Sequence, residues 1–258
     1  MNSSKLRSFF YGTLLGDSYI HNGTFYCKQI SKDLIYFKAK IIDKYLPDAK
    51  VMITEHDSYT DKNGVNHQKF WILSVSKSEY IKKLEKFFYP NGIKICPKNV
   101  INKLDNLGLA MWYADDGSTV LVQYNPSTKS ARSRRVQICT DSFSKEEHDN
   151  IILPELKQLG LTPSYVERDG HYRVILKDLK KVQELFCHLG EYFYNYFPSL
   201  LYKLDLGYRT SSLLNRTYVI EEYNSFYSKI STHPSFYDRM KRKEDIVQTT
   251  TLNSGLGN

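Results

Sequence analysis

An apolar, helix-patterned segment that ends in an acid occurs twice in this chain. The copies read Phe10-Tyr11-Gly12-Thr13-Leu14-Leu15-Gly16-Asp17-Ser18 and Leu109-Ala110-Met111-Trp112-Tyr113-Ala114-Asp115-Asp116-Gly117. Asp17 and Asp116 hold the same place in each, and the interval between them is that of a small half-domain. A duplication of this kind implies two similar halves sharing one core, with two carboxylates meeting at a pseudo-twofold seam. Two acids at such a seam are placed to act on the two strands of a duplex.

The order of elements repeats around the two acids. Residues 4 to 15 read as a helix, with Ser4 as N-cap and Leu6, Phe9, Phe10, Thr13 and Leu14 at three- and four-residue spacings. A strand at 24 to 29 follows the His21-Asn22-Gly23 turn. A helix over 32 to 46 carries the stripe Leu34, Phe37, Ile41, Ile42 and Tyr45, strands cover 51 to 55 and 69 to 76, and a helix spans 78 to 88. The order then starts again: a helix from Asn99 to Ala114, strands at 119 to 124 and 132 to 140 across Asn125-Pro126-Ser127-Thr128, and a helix over 144 to 159. That helix opens on a Ser144/Glu147 capping box and closes on Gly160. A hairpin across Asp169-Gly170 and a helix at 178 to 189 complete the copy. Residues 217 to 230 add one helix beyond the repeat, and the polar tail from Lys241 reads as disordered. Arg239, Lys241, Arg242 and Lys243 near it either keep the tail solvated or touch phosphate.

Hydrophobic content of 41% with 25% charged residues supplies a normal soluble core. A net charge of +8, a pI of 9.1 and 21 tyrosines point to a polyanionic partner, because clustered cations release counterions and aromatics suit strands and grooves. The four cysteines, Cys27, Cys96, Cys139 and Cys187, are scattered and read as free thiols in a reducing compartment. The apolar run after Lys5 and Arg7 stops at Asp17 without a small-residue cleavage site, and no stretch reaches transmembrane length. The expectation is an intracellular protein, in cytoplasm or organelle, with no membrane partner.

Close packing of the two acid-bearing helices needs small side chains where backbones touch. Gly12 and Gly16 are spaced four apart, as are Ala110 and Ala114. Packing there brings Asp17 beside Asp116, where the two charges repel unless one takes a proton or cations neutralise both. Oxygen-only ligands suit magnesium, and two ions about 4 Å apart can drive phosphodiester hydrolysis.

The two motifs resemble the paired signature of the LAGLIDADG homing endonucleases, in their monomeric two-motif form. Lys94-Ile95-Cys96-Pro97-Lys98-Asn99 and Thr140-Asp141-Ser142-Phe143-Ser144 are also similar to that family. The resemblance spans roughly residues 5 to 210. Thr13, Leu15 and Ser18 depart from the consensus in the first motif and leave its acid intact. The fold implied is α+β: two pseudo-symmetric αββαββα halves packed through the motif helices, with antiparallel saddle-shaped sheets over the DNA major groove. The boundaries expected are 1–97 and 98–210 for the halves and 211–258 for a C-terminal extension.

The resemblance also implies roles. Asp17 and Asp116 are carried over as catalytic metal ligands, with the carbonyls of Gly16 and Asp115 as further ligands, and Mg2+ as the default ion that Mn2+ or Ca2+ replaces. Gln29 matches a water-ordering glutamine, and Lys94 and Lys203 match lysines that stabilise charge at the scissile phosphate. Thr140 and Asp141 compete for the place of Gln29 in the second half, so the two half-sites need not be chemically equivalent. Alternation puts Tyr26 and Lys28 on the groove side in the first half, and Ser133, Arg135 and Gln137 in the second. Lys69, Arg132, Arg134, Arg168 and Arg173 are phosphate contacts or plain surface charges. The activity expected is a metal-dependent double-strand break at a long DNA site, encoded within an intron. The alternative is an intron RNA maturase on the same fold.

Overall fold

The computed structural model of the chain describes residues 3–125, 130–206 and 221–235, with side chains described from residue 4 onward except at 121–125 and 130–134. The Asn125 to Thr128 turn in part, the polar tail with its cations, and the side chains of Arg132, Ser133 and Arg134 lie outside the described residues.

The first repeat runs α1 (Ser3–Leu15), β1 (Tyr19–His21), β2 (Thr24–Gln29), α2 (Lys32–Tyr45), β3 (Lys50–His56), a small hairpin β4 (Tyr59–Thr60) and β5 (Asn66–His67), β6 (Phe70–Ser76) and α3 (Glu79–Phe88). The second runs α4 (Asn106–Asp116), β7 (Gly117–Asn125), β8 (Ser130–Cys139), α5 (Lys145–Glu147), a π turn (His148–Ile152), α6 (Leu153–Gln158), β9 (Pro163–Arg168), β10 (His171–Leu176) and α7 (Leu179–Tyr196). Each half builds one four-stranded antiparallel sheet, ordered β1-β2-β6-β3 in the first and β7-β8-β10-β9 in the second. The matching orders are the duplication seen at the level of topology.

Local chemistry explains the turns. Asn22 and Gly23 take φ of 50° and 70°, and Asp169 and Gly170 take 54° and 77°. Two successive left-handed residues make the tight hairpin turn whose twist suits antiparallel strands. Phe25 and Cys27 are fully buried on the inner face of β2, so period-two alternation sends Tyr26 and Lys28 outward.

The halves join where α1 crosses α4. A Cβ on Gly12 would sit 1.9 Å from the Gly108 carbonyl oxygen, so backbone lies directly on backbone. The glycine opposite Gly12 is Gly108, in the first turn of α4, and Ala110 and Ala114 are buried. Ser8 of α1 donates to the carboxylate of Asp105 at 2.7 Å, and Asp105 in turn caps α4 by accepting from Gly108 N at 3.0 Å. That cap is why α4 starts at Asn106 and not at Asn99. Asn99 is left-handed (φ 61°), and the buried Glu155 carboxylate accepts the amides of Asn99, Ile101 and Asn102.

Two further differences from the sequence reading have physical causes. The helix expected over 144 to 159 contains the π turn, which splits it into α5 and α6. The helix expected to stop at Leu189 continues to Tyr196, because Gly190 does not end it. Gly190 instead admits the Phe226 ring, which an added Cβ would meet at 2.2 Å. Phe226 lies on α8 (Glu221–Ser231), whose Tyr223 is fully buried and donates to Leu204 O at 2.7 Å. A 3-10 segment, Pro198–Leu204, therefore lies between α7 and a docked C-terminal helix. Its Ser199 ties back to the first half, through its amide and hydroxyl to the Asp33 carboxylate at 2.8 and 2.6 Å. No helix among the described residues is long and apolar enough to cross a membrane.

Candidate active site

Helix α1 ends one residue before Gly16, and α4 ends on Asp116, so the crossing delivers both acids to one end of the helix pair. Asp17 is exposed and Asp116 is partly buried. The charges sense each other: burial, then the neighbouring carboxylates of Asp17 and Asp115, push the Asp116 carboxyl up to about 9. An acid held in that state is one that a divalent cation would ionise.

Gly16 and Asp115 are the residues immediately before the two acids, and they touch. A Cβ on Gly16 would meet the Asp115 Cβ at 2.6 Å and its Oδ2 at 2.8 Å. The Asp115 side chain fits at the seam because its symmetry mate has none.

Lys94 and Lys203 occupy matching positions. Lys94 Nζ donates to Gly16 O at 2.8 Å and Ser18 O at 3.3 Å, and Lys203 Nζ donates to Asp115 O at 3.0 Å and Ala114 O at 2.6 Å. Each ammonium thus sits on the carbonyl preceding an acid, the same carbonyl assigned as a ligand in the sequence reading. Burial lowers the Lys94 pKa below the usual lysine range, against the pull of Asp116, Asp115 and Asp17. Tyr113 OH and Thr119 Oγ1 donate to Lys203 O at 3.0 and 3.1 Å and fix its backbone.

Gln29 lies between the motifs. Its Nε2 donates to Asp17 Oδ2 at 2.9 Å and to Asp115 Oδ1 at 3.1 Å. Register identifies its counterpart: Tyr19 pairs Tyr26, Ser118 pairs Gln137, and Tyr19 and Ser118 stand equally far past their acids. Counting on from Tyr26 and Gln137 puts Thr140, not Asp141, in the place of Gln29. Thr140 is buried and turned inward, donating to Tyr172 O at 2.8 Å with its hydroxyl 2.8 Å from His148 Nε2. Asp141 instead holds Arg173 in a two-pronged ion pair, with Nε to Oδ1 at 3.0 Å and Nη2 to Oδ2 at 2.8 Å. That guanidinium holds Asp141 below the usual carboxylate range.

Lys38 was not apparent as a site residue from sequence. Fully buried on α2, it places Nζ 2.7 Å from both carboxylate oxygens of Asp115. Burial works against its charge, but Asp115 beside it holds the ammonium above the ordinary lysine range. The signal was its spacing: Lys38 falls four residues after Leu34 and four before Ile42, all three on the buried face.

On the sheets, Tyr26 stacks on Tyr19 with ring centroids 5.1 Å apart, and Lys28 Nζ lies 4.0 Å from the Phe70 ring centroid. Arg135 and Gln137 are half-buried on β8. Lys69 pairs with Glu55 and, at 3.5 Å, with Asp57; Arg168 lies 3.6 Å from Asp169. These cations already have carboxylate neighbours, as Arg173 does.

No group of three or more His, Cys, Asp or Glu side chains forms a closed metal cage among the described residues. The donor set is two carboxylates, Asp17 and Asp116, with the third, Asp115, taken up by Lys38. Such a set fits Mg2+, which keeps several waters and takes one or two carboxylates plus substrate phosphate oxygens.

A sequence profile of the LAGLIDADG DNA endonuclease family matches residues 7–178. A curated relative, an uncharacterized protein of Methanocaldococcus jannaschii, is 28% identical over 123 residues, 48% of this chain and 44% of its own length. The match thus spans under half of that relative. Among solved structures, the homing endonuclease I-WcaI bound to its DNA recognition sequence aligns with a TM-score of 0.64 at 21% identity, over 80% of this chain and 88% of that one. I-DmoI in complex with DNA and Mn aligns with a TM-score of 0.43 at 16% identity, over 73% of this chain and 97% of that one.

Proposed function

The chain belongs to the LAGLIDADG DNA endonuclease family, and from that membership and its retained acid pair we propose that it is a homing endonuclease cutting both strands of a long, specific DNA site. The observation that carries this reading is the pairing of Asp17 with Asp116 at one end of the α1–α4 crossing, each backed by a lysine on the preceding carbonyl. A member that had given up cleavage for RNA binding as an intron maturase would have no need of either acid.

In this reading each half contributes one carboxylate and one lysine to the strand it faces. Magnesium held by Asp17 and Asp116, with the Gly16 and Asp115 carbonyls, would polarise the scissile phosphodiester and activate water. Lys94 and Lys203 orient those carbonyls and place fixed positive charge beside the leaving oxygen. Gln29, held by Asp17 and Asp115, is poised to order the attacking water. The outward residues Tyr26, Lys28, Arg135 and Gln137 would meet the major groove, where the arginine and glutamine suit guanine and adenine edges. Arg132, Arg134, Lys69, Arg168 and Arg173 serve the phosphates, the last three by exchanging their present carboxylate partners for DNA.

An open reading frame inside an intron gives its own candidate target: the two flanking sequences joined without it. Purified protein with Mg2+ is expected to cut a duplex of those joined flanks on both strands, and Asp116→Asn to bind the same duplex without cutting. Undiminished cutting by Asp116→Asn would refute the assignment.

A further inference from the structure

The pseudo-twofold relation between the halves breaks at one buried charge pair. Asp115 stands in the place of Gly16, so a carboxylate enters the seam from the second half alone. Its partner Lys38 comes from α2 of the first half, with Nζ at 2.7 Å from each Asp115 oxygen and 3.3 Å from Cys27 Sγ. Counting equally from the helix caps Ser31 and Ser144 puts Ile151 in the place of Lys38, and the extra residue of the π turn shifts this only to Ile152. The second half therefore has no lysine at the matching position, and Gly16 of the first half offers no carboxylate for one to hold.

The consequence passes to Gln29. Its amide nitrogen bridges Asp115 Oδ1 and Asp17 Oδ2, so both of its hydrogens are engaged and the amide plane is fixed. Thr140, its counterpart, is sealed into the core by Tyr172 and His148. One half-centre thus carries an oriented amide beside its acid, whereas the matching position of the other holds the buried Thr140 hydroxyl.

We propose that Lys38 is a positioning residue for the Asp17 side of the centre. It anchors Asp115, Asp115 and Asp17 together orient Gln29, and the two DNA strands are cut by unequal half-centres as a result. This inference rests on the endonuclease reading, and its test separates the two. A Lys38→Met chain leaves Asp115 buried without a counter-charge, so Gln29 loses a fixed acceptor.

The experiment uses the duplex of joined flanks with a different fluorophore on each 5′ end, Mg2+, and single-turnover conditions. Lys38→Met is expected to slow one strand at least tenfold relative to the other, Gln29→Ala to slow that same strand, and the double variant to be no slower than Gln29→Ala alone. In metal-free protein the Gln29 side-chain amide resonances, assigned by their loss in Gln29→Ala, are expected to shift in Lys38→Met. Where Lys38→Met does not fold, Lys38→Met/Asp115→Gly removes both charges and carries the same readouts. Equal slowing of both strands, opposite strand preferences for the Lys38 and Gln29 variants, or unmoved amide resonances would each overturn the inference. If the wild-type chain cuts neither strand, the endonuclease reading falls, and the amide resonances alone decide whether Lys38 positions Gln29.

Discussion

Gly12→Ala tests the seam on which the whole arrangement depends. The added methyl would lie 1.9 Å from the Gly108 carbonyl oxygen, 2.6 Å from its carbon and 2.9 Å from its Cα. Ordinary non-bonded contact is about 3.5 Å, so α1 and α4 must part by more than an ångström. All three obstructing atoms are backbone, which cannot swing aside as a side chain would. Overpacking costs about 1–3 kcal/mol, and a backbone clash belongs at the upper end, about 3 kcal/mol. Alanine is the better helix former by about 1 kcal/mol, which opposes the clash. The clash wins by about 2 kcal/mol, or a fall in melting temperature of roughly 4–8 °C for a chain of this size. Urea and thermal unfolding followed by the fluorescence of buried Trp112 measures it. If the helices do not cross at Gly12, only the propensity gain survives and the variant melts higher. The sign of the change decides.

Two more outcomes follow from other contacts. Asp116 is held up to about 9 by burial and by Asp17 and Asp115, against an ordinary 3.8. The folded chain therefore keeps a proton that the unfolded chain loses in that interval, so this group's stabilisation is complete below about pH 4 and is lost as pH rises through about 9. Asp116→Asn should flatten that slope, and Mg2+ or Mn2+ binding near pH 7.5 should release close to one proton, read by calorimetry in buffers of different ionisation enthalpy; a binding heat independent of buffer would contradict it. Tyr223→Phe removes the buried hydroxyl that holds Leu204 O and Leu206 N, next to Lys203. The expected loss is about 1–3 kcal/mol in urea unfolding, and an unchanged midpoint would show that α8 does not brace that segment.

The duplicated acids were readable because each closes an apolar helix pattern at the same point of a repeated element order. The sheets followed from alternation: Phe25 and Cys27 alternate with Tyr26 and Lys28, and the Asn22-Gly23 and Asp169-Gly170 turns set the hairpins. The start of α4 was harder to read, because the decisive cap, Asp105, is held by Ser8 from the other half. The end of α7 was hard to read for a related reason, since Gly190 sits inside the helix to make room for Phe226, a contact from a distant segment. Lys38 was hidden by chemistry. A lysine on an amphipathic helix is ordinarily a solvated residue, and only a carboxylate delivered from the distant Asp115 makes its burial tolerable. Local pattern carries the elements and the acids, whereas contacts between the halves carry Lys38 and the start of α4.

The central claim is that Asp17 and Asp116 share a metal centre at the seam. Crystals of the chain with the joined-flank duplex and Mn2+, measured at the manganese absorption edge, test it directly. Anomalous peaks are predicted at about 2.0–2.6 Å from carboxylate oxygens of both Asp17 and Asp116, with Asp115 still on Lys38. Manganese bound by Asp115 in place of Lys38, or away from the two acids altogether, would contradict the account.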